Sequence, residues 1–234
     1  MEGAAILSTR TVQDTMKKTA SLIGAAILMI VASMPAAADQ MRLTSDTLGY
    51  DPATALVTAS GNVKVTGKGI VATSSHGEFD AAGNRSHLWD DVVANWGDGK
   101  MTMECADLVV VEEPGGQQMN ARTVKRFHDA QRKLTMRSNL MEGKLRDGEF
   151  TDLTATGNVV ADTVASDGQP TRLTGEKAVY SRSADTMIFT GNPVATQKNR
   201  KITADKFIVH IESGRLEAIG NPQMVVDLPA GEGK

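Results

Sequence analysis

The sequence is poor in the residues that cross-link a chain or perform catalysis. Cys105 is the only cysteine among 234 residues, so no internal disulfide can form. Aromatic residues make up 4% of the chain and its four histidines are scattered. It contains no nucleophile elbow, no His pair with metal-ligand spacing and no phosphate-binding loop. We therefore predict no catalytic residue, no metal site and no cofactor, and a chain that is not an enzyme.

Strong charge of either sign is also lacking. The formal net charge is −3 at pH 7, and this mild acidity argues against nucleic acid as a partner. Several basic residues are clustered between residues 122 and 137. They are interpreted as a solvated face, with contact to lipid phosphates as the alternative. A pair of strands fits this segment better than a short amphipathic helix.

An uncharged run near the N-terminus is too short to span a membrane. Lys17 and Lys18 precede the run 19–33, which leads into Pro-Ala-Ala-Ala at 35–38. A basic head, a short apolar stretch and an Ala-x-Ala end are typical of a secretory signal peptide. We predict cleavage after residue 38, with Met16 as an alternative start of translation. A single domain is expected over 39–226, followed by a C-terminal tail over 227–234, and the exported protein is expected in the periplasm.

A repeated pattern organises the rest of the chain. An aliphatic residue, a Thr, a small residue and an acid stand in a row, and a Gly-Asn pair begins eighteen positions after the aliphatic residue. This occurs at Leu43-Thr44-Ser45-Asp46 with Gly61-Asn62, at Leu173-Thr174-Gly175-Glu176 with Gly191-Asn192, and at Ile202-Thr203-Ala204-Asp205 with Gly220-Asn221. A further Gly-Asn pair, Gly157-Asn158, has Asn139 in the aliphatic position. Such a period predicts one supersecondary unit copied along the chain.

Residues alternate between apolar and polar around every Gly-Asn pair. Period two over nine or more residues predicts half-buried strands, with one dry and one wet face. The glycine in mid-strand is typical of a bulge, so structural bends are predicted at Gly61, Gly157, Gly191 and Gly220. Asp-Gly pairs between strand-like runs favour hairpins. The expected fold is therefore all-β and antiparallel, built from repeats of about 29 to 31 residues with two strands each.

These motifs resemble the OstA-like family, the periplasmic bridge proteins of lipopolysaccharide transport. The resemblance is carried by the export signal and by the repeated blocks, and it covers most of residues 41–226. It implies an elongated antiparallel β-jellyroll whose dry interior shields the acyl chains of lipid A. It also implies partner jellyroll proteins of the inner and outer membrane, and head-to-tail joining of copies as one mode of assembly.

The resemblance and the alternation together assign lipid-contact candidates. They are the apolar side chains that share the parity of the glycines. The candidates are Val63, Val65, Val159, Ala161, Phe189 and Met224. Packing in a protein core is the alternative for each of them, because a groove is also a core and parity cannot separate the two.

Three other functions are compatible with the pattern. The chain could be an anchored or accessory member of the same transport pathway. It could be a secreted β-repeat enzyme acting on glycans, although Asp46, Glu176 and Asp205 recur in separate units, which suggests a turn or strand-end role instead. It could also be a scaffold that binds no ligand.

Overall fold

The computed structural model describes residues 41–227 apart from 68, 81 and 83. The predicted signal peptide and residues 228–234 of the predicted tail lie outside the described residues. All the regular elements in the described part are strands. They are β1 (Arg42–Thr44), β2 (Thr47–Asp51), β3 (Leu56–Gly67), β4 (Ile70–Asp80), β5 (Arg85–Trp96), β6 (Met101–Glu113), β7 (Gly116–Asp129), β8 (Leu134–Arg146), β9 (Glu149–Val164), β10 (Pro170–Ser181), β11 (Thr186–Thr190), β12 (Val194–Gln197), β13 (Arg200–Thr203), β14 (Lys206–His210), β15 (Arg215–Ile219) and β16 (Gln223–Val226).

All sixteen strands belong to one sheet, and every pairing in it is antiparallel. Strands β3 to β10 follow each other in chain order and pair through hairpins. The two-strand units β3–β4, β5–β6, β7–β8 and β9–β10 begin at Leu56, Arg85, Gly116 and Glu149. The predicted all-β antiparallel jellyroll is confirmed. The segment 122–137 forms parts of β7 and β8, so the prediction of strands there is also confirmed.

Each long strand is bent near its middle. The cross-strand register shifts between Ser60 and Val63 in β3, and equivalent shifts follow in the next strands through β10. A bulge bends its strand and increases the local twist. Because the bulges lie side by side, they form a crease that divides the sheet into two wings.

The two wings are defined by the register on either side of the crease. Wing A contains 47–60, 76–80, 84–89, 107–122, 140–156, 177–190 and 206–219. Wing B contains 42–44, 63–67, 69–74, 92–105, 124–138, 159–175, 194–203 and 223–226. At both ends of the sheet the wings separate into different strands. Strand β3 pairs with β2 in wing A and with β1 in wing B, while β10 continues into β11 in wing A and β12 in wing B.

The inward faces of the two wings pack against each other to form the core. Trp96 of wing B contacts Phe150 of wing A edge to face, with ring centroids 6.1 Å apart. Phe127 of wing B contacts the same ring at 5.6 Å. The core continues along the whole sheet, from Val57 and Val63 to Phe207. The alternation predicted from the sequence therefore buries one face of a folded sheet.

Opposite the crease, the hairpin turns of the two wings meet along a rim. The turn after β5 reaches the turn after β8, where a Cβ built on Gly148 would lie 3.8 Å from the Cα of Gly97. The turn after β9 reaches the turn after β14, and the Ser166 amide donates to the Gly214 carbonyl at 3.0 Å. In both contacts the turn of wing B meets a turn of wing A that lies three strands further on in the sheet order. Such an offset is expected when twisted sheets pack face to face at an angle.

Candidate functional site

The inward face of the folded sheet holds five of the six lipid-contact candidates. Val63, Val65, Val159 and Ala161 lie in wing B, and Phe189 lies in wing A; all five are buried. Met224 differs, because it lies in the terminal strand β16 and is 58% exposed. The alternation in the sequence is the same at β16, but the strand lies beyond the part of the sheet that the opposite wing covers.

The candidates form a line along the fold and not a compact pocket. Val63 and Val65 lie in β3, and Val159 and Ala161 lie in β9, six strands away in the sheet. At a strand spacing of about 4.8 Å this places them roughly 29 Å apart. A ligand that touched all of them would have to extend along the axis of the sheet.

The space between the wings is filled by side chains of the protein. Trp96, Phe127 and Phe150 bridge the two wings in the middle of the sheet. Between the wings near β3 and β6, an apolar cavity of about 20 Å³ is lined by Val65, Ile70, Leu88 and Leu108, among others. A cavity of this size holds about one water molecule, so an acyl chain fits there only if the wings separate.

Sequence reasoning missed the aromatic side chains that fill this space. The Phe79 ring lies over Gly77, and the Phe150 ring lies over Gly143; a Cβ at either glycine would come within 2.7 Å of the ring. The sequence did carry a signal for these aromatic side chains. Each glycine has the parity of the inward-facing residues, and an aromatic residue of that parity stands nearby in the same strand or in the strand paired with it. Neither glycine precedes an Asn, so neither belongs to the Gly-Asn pattern.

The Gly-Asn pairs lie on the crease, with the preceding acids held against them. Gly61 and Asn62 both have left-handed backbone, with φ of 73° and 48°. The Asp46 amide donates to the Gly61 carbonyl at 2.8 Å, and the Asn62 side chain donates to the Asp46 carboxylate at 2.9 Å. The same two contacts recur between Asp205 and the pair at 220–221. The acids therefore have the strand-end role that their repetition suggested.

The other two bends are variants of this arrangement. The Glu176 amide donates to the Gly191 carbonyl at 3.3 Å. At Gly157, with φ of 76°, the neighbouring side chain is Asn139, so an amide replaces the acid. An open polar cleft of about 490 Å³ lies at the crease near these two bends, and its lining includes Thr123, Arg137, Asn139, Asn158, Glu176 and Asn192.

At the rim, a buried ion pair of wing B lies against an aromatic ring of wing A. Asp129 accepts a hydrogen bond from the Arg132 guanidinium at 2.7 Å and another from the Arg132 amide at 3.0 Å. The Arg132 guanidinium carbon lies 5.4 Å from the centre of the Tyr180 ring, which is cation–π distance. Burial lowers the pKa of Arg132 and the Asp129 hydrogen bond raises it, with a net rise. Burial raises the pKa of Tyr180.

The single thiol of the chain is buried, and the two tryptophans differ in exposure. Cys105 is buried on the inward face, and burial raises its thiol pKa to about 12. Trp96 is buried, whereas Trp89 is partly exposed and stacks on His76. In the described ranges, no group of three or more His, Cys, Asp or Glu residues is placed to hold a metal ion. Nor does that part of the chain contain a helix long and apolar enough to cross a membrane.

Comparison with known proteins gives a match to a family model and a similar solved structure. Residues 72–215, more than half of the chain, match the family model described as "LptA/(LptD N-terminal domain) LPS transport protein". Among solved structures, the chain is similar to LptH from Pseudomonas aeruginosa, described as the LptA homologous periplasmic component of the lipopolysaccharide transport device. The identity is 10% over 81% of this chain and 96% of that one, and the TM-score is 0.25. Comparison with curated sequences gives no significant match.

Proposed function

The chain belongs to the LptA/(LptD N-terminal domain) family of lipopolysaccharide transport proteins, and on that premise we propose that it is a periplasmic carrier that shields lipid A acyl chains between its two wings. In this role it bridges transport complexes of the inner and outer membranes. It forms no covalent intermediate and needs no cofactor, because its work is to keep apolar chains out of water while they move.

The observation that carries the proposal is the continuous apolar inward face. One cluster of buried apolar residues extends from Val57 in β3 to Val209 in β14. Each methylene that is removed from water gains about 0.8 kcal/mol, so an acyl chain of a dozen carbons is stabilised by roughly 10 kcal/mol on such a surface. A lipid with several such chains does not cross an aqueous compartment at a useful rate unless a surface of this kind covers it.

The ends of the sheet support joining to similar jellyroll proteins. Strand β16 is hydrogen-bonded to β13, and its other edge has no neighbouring strand in the described chain. Met224 and Val225 on this strand are exposed, and they point to opposite faces of the sheet. An unpaired apolar edge favours the addition of a strand from another molecule. A partner jellyroll or a second copy of the chain would extend the apolar face past the end of this one.

Site-specific photo-crosslinking in the periplasm tests the proposal. A small diazirine side chain is placed at Val159, which is buried between the wings, or at Asn158, which is exposed at the crease. We expect a lipopolysaccharide adduct at residue 159 and none at residue 158, because neighbouring residues of a strand point to opposite faces. Absence of an adduct at both positions, in a folded and exported protein, contradicts lipid binding.

A ligand-free scaffold is the second candidate, and the filled interior favours it. Trp96, Phe127 and Phe150 fill the middle of the interior with contacts between their own rings. A scaffold would assemble with partner jellyrolls but would purify without lipid and give no adduct at residue 159. The photo-crosslinking experiment therefore separates the two candidates.

A further inference from the structure

We propose that the rim between the wings is a gate held closed by Asp129, Arg132 and Tyr180, and that lipid is admitted when the rim parts. This inference rests on the proposed function. It follows from the filled interior, since the cavity of about 20 Å³ between the wings cannot take an acyl chain.

Only the rim can part without breaking the sheet. At the crease the two wings are joined by the long strands themselves, each covalently continuous through its bulge. At the rim the wings meet through a few local contacts. They include the backbone contact of Gly97 with Gly148, the Arg132–Tyr180 pair and the hydrogen bond from the Ser166 amide to the Gly214 carbonyl. The strand bends at the crease then serve as the hinge.

The contact of Arg132 with Tyr180 is the part of the rim with the most specific geometry. Asp129 is 3% exposed, and its carboxylate is held by two donors of Arg132. This pairing fixes the guanidinium over the Tyr180 ring, which belongs to the other wing. A buried charge is retained only with its partner, so the ion pair stays with wing B and the ring contact is the one that breaks.

The gate opens at low cost only when lipid is present. Separating the wings in water would expose the core aromatic residues and is strongly unfavourable. When acyl chains enter at the same time, the inward faces exchange contact with each other for contact with the chains. The opening therefore exposes little apolar surface, and lipid selects the open state by its differential affinity.

A reversible disulfide across the rim tests the gate. Gly97→Cys and Gly148→Cys are combined with Cys105→Ala, so that the two introduced thiols have no competitor. A Cβ on Gly148 would lie 3.8 Å from the Gly97 Cα, which places the two Cα atoms within about 5.3 Å, inside the range of disulfides. A diazirine side chain at Val159 and purified rough-type lipopolysaccharide provide the readout, and circular dichroism confirms that each form is folded.

We expect the reduced protein to give the adduct, the oxidised protein to lose at least about nine-tenths of it, and dithiothreitol to restore it. Equal adduct in the reduced and oxidised states overturns the gate but leaves the proposed function intact. If neither the reduced protein nor its Cys105→Ala parent gives an adduct, the proposed function is overturned. Each single-cysteine variant should respond to neither oxidant nor reductant.

A second pair of variants tests the contact itself without leaving a buried charge. Asp129→Asn with Arg132→Met removes the ion pair and the cation–π contact together. Asp162→Asn with Arg172→Met is the matched control, because this ion pair has the same 2.7 Å length but lies exposed on the outer face of wing B. We expect the first pair to speed lipid capture about fivefold, the effect of one rim contact of ordinary strength, and the control to leave the rate unchanged. An unchanged or slower rate in a folded Asp129→Asn/Arg132→Met protein overturns the role of this contact.

Discussion

Trp96 and Phe150 lie in strands β5 and β9, which are not neighbours in the sheet, yet their rings meet edge to face with centroids 6.1 Å apart. The contact exists because the sheet bends at the crease and brings wing B over wing A. Aromatic pairs in this geometry contribute about 0.5–1.5 kcal/mol beyond the area that they bury. The distance between these two rings therefore shows whether the two wings are closed.

Replacement of Phe150 should weaken the closed fold. We expect Phe150→Ala to lower the free energy of unfolding by about 3–5 kcal/mol, since it removes a buried ring that contacts two aromatic residues of the other wing. Urea denaturation followed by Trp96 fluorescence, in a Trp89→Phe background, measures the change. Tyr50→Ala removes an aromatic ring that is exposed and should change the stability by less than about 0.5 kcal/mol. Similar losses for both variants would contradict face-to-face packing of the wings.

A separate prediction concerns the stability cost of a side chain at Gly61, in the crease. Alanine there has to adopt φ near 73°, and its Cβ would overlap the Asp46 carboxylate. Gly168 has φ of 75° and open space around it, so Gly168→Ala isolates the backbone cost. We expect about 1 kcal/mol for Gly168→Ala and a further 1–3 kcal/mol for Gly61→Ala. Equal melting temperatures of the two variants would show that the contact with Asp46 does not hold the bend.

The buried thiol predicts a specific dependence of stability on pH. The pKa of Cys105 is raised to about 12 in the folded chain, while an unfolded chain loses this proton near pH 9. Between these values the unfolded chain binds fewer protons, so the free energy of unfolding falls as the pH rises, by at most about 1.4 kcal/mol per unit, and is unaffected below about pH 8. Denaturation of the native protein and of Cys105→Ala at pH 7 to 11 measures the difference, since other titrating groups are common to both. If the free energy of unfolding of the two proteins changes in parallel over this pH range, the prediction is wrong.

The exposed edge at β16 predicts association through the end of the sheet. Val225 is 62% exposed on an edge strand, and a lysine there opposes strand addition by charge and desolvation. We expect Val225→Lys to weaken self-association, or association with a partner jellyroll, about tenfold or more, as measured by analytical ultracentrifugation. Val93→Lys places the same charge on an exposed site in the middle of the sheet and should have no effect. Equal weakening by both would point to a surface other than the sheet end.

Period-two alternation and the Asp-Gly turns are local properties, and they were sufficient to predict strands, hairpins and the inward parity. Val63, Val159 and Phe189 are buried as that parity required. The Gly-Asn pairs were recognisable because a left-handed backbone restricts the residue type at each bend, whatever the surroundings. The middle of the chain, where the repeat is diluted, nonetheless forms long regular strands, because pairing with neighbours on both sides compensates for weaker local signals.

The sequence by itself therefore determined the strands, their two faces, the bends and the family resemblance. Only the tertiary structure decided how far the wings close. Closure depends on the backbone angles of the crease residues and on which aromatic rings meet across the interior. It also decided that Met224, of the same parity as Val159, is exposed, since burial of an inward side chain requires the opposite wing to cover it. The contact of Arg132 with Tyr180 joins residues 48 positions apart, and an offset of three strands between the wings, invisible in any local pattern, brings them together.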